Sequence, residues 1–431
     1  MIVYLGLVVL LVMLIVIGMP VGFAAGVTSV LGAGLFFGDV FDPRVGTMIA
    51  RLAMDKMDNF LLLAIPFFLL AGRLMNSGGI TEKLFGFVAL VVRPLRGGLG
   101  HANVLASVMF AGMSGSATAD EVGLGQIEMK AMLSQGYDRG FSAGVTAASS
   151  LIGPILPPSI ALVAFAVQAE ISVAAMFFAA IVPGLMMALS YMAYVAYRAR
   201  VDGMSSGSVA SLAELWPAFR AAILPILTPV IIMAGIYFGI FTPTEAAAVA
   251  AGYATILGVV VYREFGWRHL WREIRGTMLD SAVIMLIIVF TSAFGVVMIR
   301  GQVPTALAEF LTGLTTDPTV LLFLLTGFWL IVGCFMAQTP AILILTPILL
   351  PIIERYEIDP VHFGIIMTLT LTLGLLTPPV GMVLYALVRV TGLSFERLAA
   401  VCIPYLIITS MVIAILILFP TLVVYLPGLL R

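Results

Sequence analysis

Apolar runs of about 20 residues recur along the whole chain, each long enough to cross a bilayer as a helix. The first 38 residues carry no charge and leave room for two crossings joined near Gly18-Met19-Pro20. They lack a basic start and a small-residue cleavage site, so they do not read as a signal peptide. The pattern predicts five crossings per half. In the first half they lie near 2–18, 20–38, 57–76, 140–168 and 172–197. In the second half they lie near 217–240, 243–262, 279–299, 361–389 and 398–426. Between the third and fourth crossing of each half sits an apolar stretch interrupted at its centre, at 102–134 and at 319–352. Both are expected to be re-entrant hairpins that enter and leave on one side.

Four interruptions break the apolar pattern: GMSGSATAD (112–120), GPILPPS (153–159), GCFMAQTPA (333–341) and GLLTPPV (374–380). The third follows the first by 221 positions, and the fourth follows the second by the same 221. Upstream, Pro20 matches Pro243, and AGRLMNSGGI (71–80) matches FGVVMIRGQV (294–303), both at an offset of 223. The chain therefore reads as an all-α polytopic membrane protein made of two repeats, 1–200 and 217–431, with 201–216 as a cytoplasmic linker. Five crossings per repeat make the repeats inverted with respect to the membrane. Of the 21 Lys and Arg residues, 15 fall on the side reached after the first crossing and 6 on the other. The basic side is cytoplasmic by the positive-inside rule. Both termini are then periplasmic, the first hairpin opens from the cytoplasm and the second from outside.

Composition agrees: 62% of residues are hydrophobic, 10% are charged and the mean hydropathy is +1.17. A soluble domain carries about 25% charged residues. A net charge of −1 gives no electrostatic footprint for nucleic acid. Cys334 and Cys402 lack metal-ligand spacing and read as packing residues, and the 24 methionines read as lipid-facing or packing residues. No HExxH or P-loop pattern occurs. WRHLWREIR (267–275) and ITEKLFGFVALVVRPLR (80–96) read as interfacial helices. They are either arms joining a fixed scaffold to a moving core or ordinary anchors.

A chain that turns at mid-bilayer leaves unpaired carbonyls on one half-helix and unpaired N–H groups on the next. Carbonyls with the hydroxyls of Ser114 and Ser116 suit Na⁺, and a half-helix N-terminus suits an anion. Thr118 with Glu121 reads as a capping box, which gives Asp120 either a capping or an ion-binding role. Thr339, before Pro340, is an N-cap candidate for the second hairpin, with Gln338 beside it. Pro157-Pro158 and Pro378-Pro379 cannot donate backbone hydrogen bonds, so the two crossings must unwind there. That frees carbonyls at 153–156 and 374–377, with the Ser159 and Thr377 hydroxyls nearby. FTPTEAAA (241–248) reads as a helix start capped by Thr242 and Glu245. His101, His269 and His362 form no cluster in sequence.

GMSGSATAD, GIFTPTEAAAVAAG (239–252) and GLLTPPVG (374–381) together resemble the large membrane (M) subunit of tripartite ATP-independent periplasmic (TRAP) transporters. The resemblance covers essentially the whole chain. It implies an elevator-type fold of the ion-transporter superfamily in the bacterial inner membrane. It implies a separate small four-helix membrane (Q) subunit and a periplasmic substrate-binding (P) protein as partners, with no cofactor beyond Na⁺. The implied activity is Na⁺-coupled uptake of a carboxylated solute such as a C4-dicarboxylate or sialic acid. One Na⁺ site would fall at Ser114, Ser116, Gly153 and Pro157, and the other at Gln338, Thr339, Gly374 and Thr377. Substrate would meet Ser116, Ala117, Thr118, Ser159, Thr339 and Pro379. The second hairpin departs from the first in lacking the double serine. Two alternatives stay open: a single-component Na⁺/dicarboxylate carrier of the same superfamily, and a rhomboid-like intramembrane serine protease using the GxSG pattern at 112–115 with His362 as base.

Overall fold

A computed structural model of the chain describes residues 2–77, 79–115, 117 and 121–429. The chain opens with α1 (Ile2–Val16), α2 (Val21–Phe37) and the surface helix α3 (Pro43–Met57). A short 3₁₀ turn, Phe60–Leu63, leads into α4 (Ala64–Ser77). The axis bends by 64° between α3 and this stretch, so the third predicted crossing has a separate helix in front of it. Next come α5 (Ile80–Val92) and α6 (Gly98–Ser114), then a π-turn, Glu121–Gly125, that runs into α7 (Gln126–Ser134). α8 (Arg139–Ser150) and α9 (Ile160–Gln168) are two pieces of one interrupted segment, followed by the continuous α10 (Val173–Val201).

The second half runs α11 (Leu212–Tyr237), α12 (Pro243–Ile256), α13 (Trp267–Arg300) and α14 (Val303–Leu314). α15 (Pro318–Phe335) and α16 (Gln338–Arg355) follow with only Met336 and Ala337 between them. α17 (Pro360–Gly374) and α18 (Met382–Thr391) repeat the interrupted arrangement of α8 and α9, before α19 (Phe395–Leu418) and α20 (Thr421–Gly428). Among the described residues, seven helices are long and apolar enough to cross a membrane, or eight with the bent pair.

Short polar residues start these helices as physical chemistry requires. Asp42, Asp317 and Asp359 each precede a proline at the first helical position and accept backbone N–H groups. The Arg44 side chain and backbone hold the Asp42 carboxyl at about 2. The N–H groups of Thr319 and Val320 hold the Asp317 carboxyl below its ordinary range. Thr242 and Glu245 form the expected capping box, with the Thr242 N–H donating to Glu245 at 2.8 Å and the Glu245 N–H donating back at 3.3 Å.

Two expectations need correction. WRHLWREIR is not a separate surface helix: it is the first quarter of α13, a single 34-residue helix. No proline interrupts it, and at 1.5 Å per residue it runs about 50 Å, far beyond a core of about 30 Å. The short helix matched in sequence to α5 is α14, and both are entered through a left-handed residue, Gly79 (φ 62°) and Gln302 (φ 57°). The last predicted crossing also stops early, at Leu418, and Pro420 separates it from α20.

The packed centre joins the two halves. Trp329 of α15 meets Phe363 of α17 at 5.1 Å between ring centres, and Phe363 meets Phe165 of α9 at 6.1 Å. Phe165 also lies against Gly364, where a Cβ would come within 2.3 Å of its ring. On the exposed rim, truncating Thr242 should be mild. Thr242→Ala removes one cap and is expected to cost about 1 kcal/mol, read as a lower melting temperature in detergent with uptake retained.

Candidate functional site

The first break is closed mainly by its own groups. α8 ends at Ser150, and the Leu156 N–H still donates to the Ile152 carbonyl at 3.0 Å. Ser159 restarts the helix: it accepts from the Leu162 N–H at 3.4 Å and donates its hydroxyl to the Pro154 carbonyl at 2.5 Å. At the second break, Thr377 donates its hydroxyl to the Leu373 carbonyl at 2.9 Å. The Gly374 and Leu375 carbonyls accept from the Thr377 and Val383 N–H groups at 3.0 and 3.1 Å. Pro157-Pro158 and Pro378-Pro379 are both cis. Ser159 and Thr377 thus bond inward to backbone. A hydroxyl that donates its proton keeps its oxygen lone pairs, so the two remain capable of holding a cation.

Each tip reaches its break through glycine. Gly115 ends α6 in the left-handed region (φ 61°), and a Cβ there would lie 2.7 Å from the Pro158 carbonyl oxygen. A Cβ on Gly374 would lie 2.4 Å from the carbonyl carbon of Gly333, and the Gly381 N–H donates to the Cys334 carbonyl at 3.4 Å. The second tip does not start as expected. Ala337 is the N-cap, α16 begins at Gln338, and Thr339 is already helical. Gln338 is buried and donates from Nε2 to the Thr368 carbonyl at 3.2 Å, which fixes the tip to α17.

A cavity of about 370 Å³ lies where these elements meet. The first tip contributes Gly115 and Ala117, and the second contributes Ala337, Gln338 and Thr339. Pro154, Ile160 and Ala161 come from the first break, and Leu375 and Met382 from the second. The opposite wall is Leu69 of α4 with Asp280, Val283 and Ile284 of α13. Of the expected site residues, Ala117, Gln338 and Thr339 therefore line the cavity. Gly153, Pro157, Ser159 and Gly374 are buried in the breaks behind it, Thr377 is half-buried and Pro379 is exposed. Ser116, Thr118 and Asp120 lie outside the described residues, as does the side chain of Ser114.

The sequence reading missed the charged wall. Asp280 lines the cavity and is ion-paired with Arg73, which is not itself a lining residue. The signal was present: both residues sit inside predicted crossings, and a charge within an apolar crossing is a functional candidate by default. Among the described residues no histidine lines the cavity. His362 instead places Nε2 2.9 Å from the Leu416 carbonyl.

Paired helix breaks around one cavity in a multi-helix apolar chain define a membrane permease. The fold resembles two solved structures. The YdaH transporter of Alcanivorax borkumensis gives a TM-score of 0.64 at 15% identity, covering 88% of this chain and 89% of that one. MtrF of Neisseria gonorrhoeae gives 0.61 at 13% identity, covering 88% and 85%. The chain belongs to the family described as tripartite ATP-independent periplasmic transporter, DctM component, which it matches over residues 7–422. It is 40% identical over 412 residues to the sialic acid TRAP transporter large permease protein SiaM of Vibrio cholerae, covering 96% of this chain and 95% of that one. It is 34% identical over 411 residues to the 2,3-diketo-L-gulonate TRAP transporter large permease protein YiaN of Escherichia coli, covering 95% of each. The permease protein SiaT of Haemophilus influenzae is 36% identical over 428 residues, which are 99% of this chain and 68% of that one. This is a multi-pass membrane protein and a large permease subunit.

The close glycine contact behind the second tip can be tested. Gly374→Ala places a methyl group against backbone and should destabilise by about 1–3 kcal/mol. Gly252→Ala, with nothing within 4 Å of the new Cβ, should not lower the melting temperature. Equal melting temperatures for the two variants would contradict the packing.

Proposed function

We propose that the chain is the transport subunit of a Na⁺-coupled uptake system for a carboxylated organic solute in the bacterial inner membrane. A periplasmic binding protein delivers the solute, and a separate small four-helix membrane subunit completes the permease. The observation that carries this reading is a cavity lined by residues from both tips and both helix breaks. Helix ends and free carbonyls at mid-membrane are the means by which transporters without dedicated metal cages hold ions and anions. Relatives of full-length similarity named for sialic acid and 2,3-diketo-L-gulonate support an organic acid as the solute.

Two Na⁺ sites are assigned in this proposal, one at Ser114, Ser116 and the carbonyls from Gly153 to Pro157, the other at Gln338, Thr339, Gly374 and Thr377. Asp120 is given to the first site or to the cap beside it. The carboxylated solute lies between the tips, against Ser116, Ala117, Thr118 and Thr339. Ser159 and Pro379 shape the breaks behind it. Na⁺ orders the tips, and the N-terminal ends of the half-helices then receive the carboxylate. The hairpins and interrupted helices move as a core against the remaining crossings, exposing the cavity to one side at a time. Two inverted repeats of this kind are supported by the 221-residue offset between the breaks and by the left-handed turns at Gly79 and Gln302. Both termini are placed in the periplasm on the positive-inside count.

Uptake into proteoliposomes, with the small subunit and the binding protein present, tests the assignment. Replacing external Na⁺ with choline should abolish accumulation, and Ser116→Leu should do the same at an unchanged level of reconstituted protein. Full uptake by Ser116→Leu would sink the first ion site. Full uptake without the binding protein would instead establish the single-component carrier.

A further inference from the structure

Arg73 and Asp280 form an ion pair that the tips and breaks do not use. Arg73 lies one helical turn beyond Leu69 on α4, and Asp280 one turn before Val283 and Ile284 on α13. Leu69, Val283, Ile284 and Asp280 all line the cavity, so Asp280 stands between its space and Arg73, which is not itself a lining residue. One nitrogen of the Arg73 guanidinium donates to the Asp280 carboxylate, and the other lies 3.5 Å from Glu273. α13 is shaped for this approach. Gly276 falls between Glu273 and Asp280, and a Cβ there would sit 2.6 Å from Nη1 of Arg73. The guanidinium thus rests on bare helix backbone with a carboxylate on either side.

The two carboxylates differ. The Glu273 side chain is 12% exposed and also meets His269 and Arg272, so it is a fixed anchor. The Asp280 side chain is 47% exposed and borders the cavity, so it is free to turn away. The arrangement belongs to one half only: at the 223-residue offset, Arg73 corresponds to Val296 and Asp280 to Met57.

We propose that Arg73 adds a guanidinium contact to the solute carboxylate that the half-helix ends receive, and that Asp280 is the stand-in that this carboxylate displaces. The proposal rests on the cavity being the transport site. Guanidinium pairs with carboxylates in a fixed two-pronged geometry, so one carboxylate can take the place of another without rebuilding the site. Glu273 holds one side of the guanidinium, and Asp280 completes its pairing while the cavity holds no solute. The exchange leaves the charge count at Arg73 unchanged, and Asp280 turns to the open lip. A neutral solute offers no such replacement and is rejected because it cannot release Asp280. On release, Asp280 returns and expels the anion from the guanidinium.

The test compares wild type, Asp280→Asn and the neutral double variant Arg73→Gln/Asp280→Asn, which leaves neither partner charged and unpaired. Each is reconstituted as the complete transporter. N-acetylneuraminate uptake is measured beside a reporter cysteine, Val283→Cys, placed in protein lacking Cys334 and Cys402. The reporter is modified by an anionic or a cationic methanethiosulfonate reagent. With Asp280→Asn the ratio of anionic to cationic rates should rise several-fold, and KM and kcat should both fall as the anion is held longer. In the double variant the rise should vanish and uptake should be lost. Wild-type KM and kcat in the double variant, or a rate ratio that ignores Asp280→Asn, would reduce the pair to a structural brace and overturn the proposal. If the reporter responds as stated while wild type accumulates no N-acetylneuraminate, the anion receptor stands and the choice of solute fails.

Discussion

A backbone that stops being helical inside a membrane must find partners for its freed N–H and C=O groups, because lipid offers none. Among the described residues of this chain, helices are interrupted at two tips and two breaks, and each tip meets its own break. Gly115 comes against Pro158, Gly333 against Gly374, and Gly381 donates to Cys334. Side chains at these points would hold the backbones apart. Glycine and the Pro-Pro steps therefore work together: proline opens the helix, and glycine lets another backbone close over the opening.

The cavity follows from this closure. Its tip-and-break side is uncharged, with Gln338 and Thr339 as polar side chains among small and apolar ones. Ser159 and Thr377 donate inward to Pro154 and Leu373, leaving oxygens rather than protons for a ligand. The rest of the wall is made by regular helices, α4 and α13, and carries Asp280, with Arg73 paired to it. Regular helices can hold Arg73 and Asp280 at a fixed spacing, whereas an unwound segment could not.

Much of this was legible in the sequence because Gly, Pro and Ser or Thr cluster at the breaks, whereas single prolines such as Pro183 and Pro225 stay inside continuous helices. The interrupted stretches, the Pro-Pro breaks and the Thr242 cap all carry local signals that depend on a few adjacent residues. Thr339 was misread as a cap because Pro340 is tolerated throughout the first helical turn, and packing of Gln338 against α17 moved the start forward. The long α13 was divided because its basic, Trp-containing start looks interfacial, although nothing in it breaks a helix. The Arg73–Asp280 pair was missed for a different reason. Its members are 207 positions apart, and only the crossing of α4 and α13 at Gly276 brings them together.

The central claim is that one cavity, bounded by both tips and both breaks, holds the transported anion. An experimental structure of the permease with its small subunit, in Na⁺ and saturating solute, tests it most directly. The account predicts solute density among Gly115, Ala117, Ala337 and Thr339, with its carboxylate toward Arg73. Solute density elsewhere, with this cavity filled only by water, would contradict it.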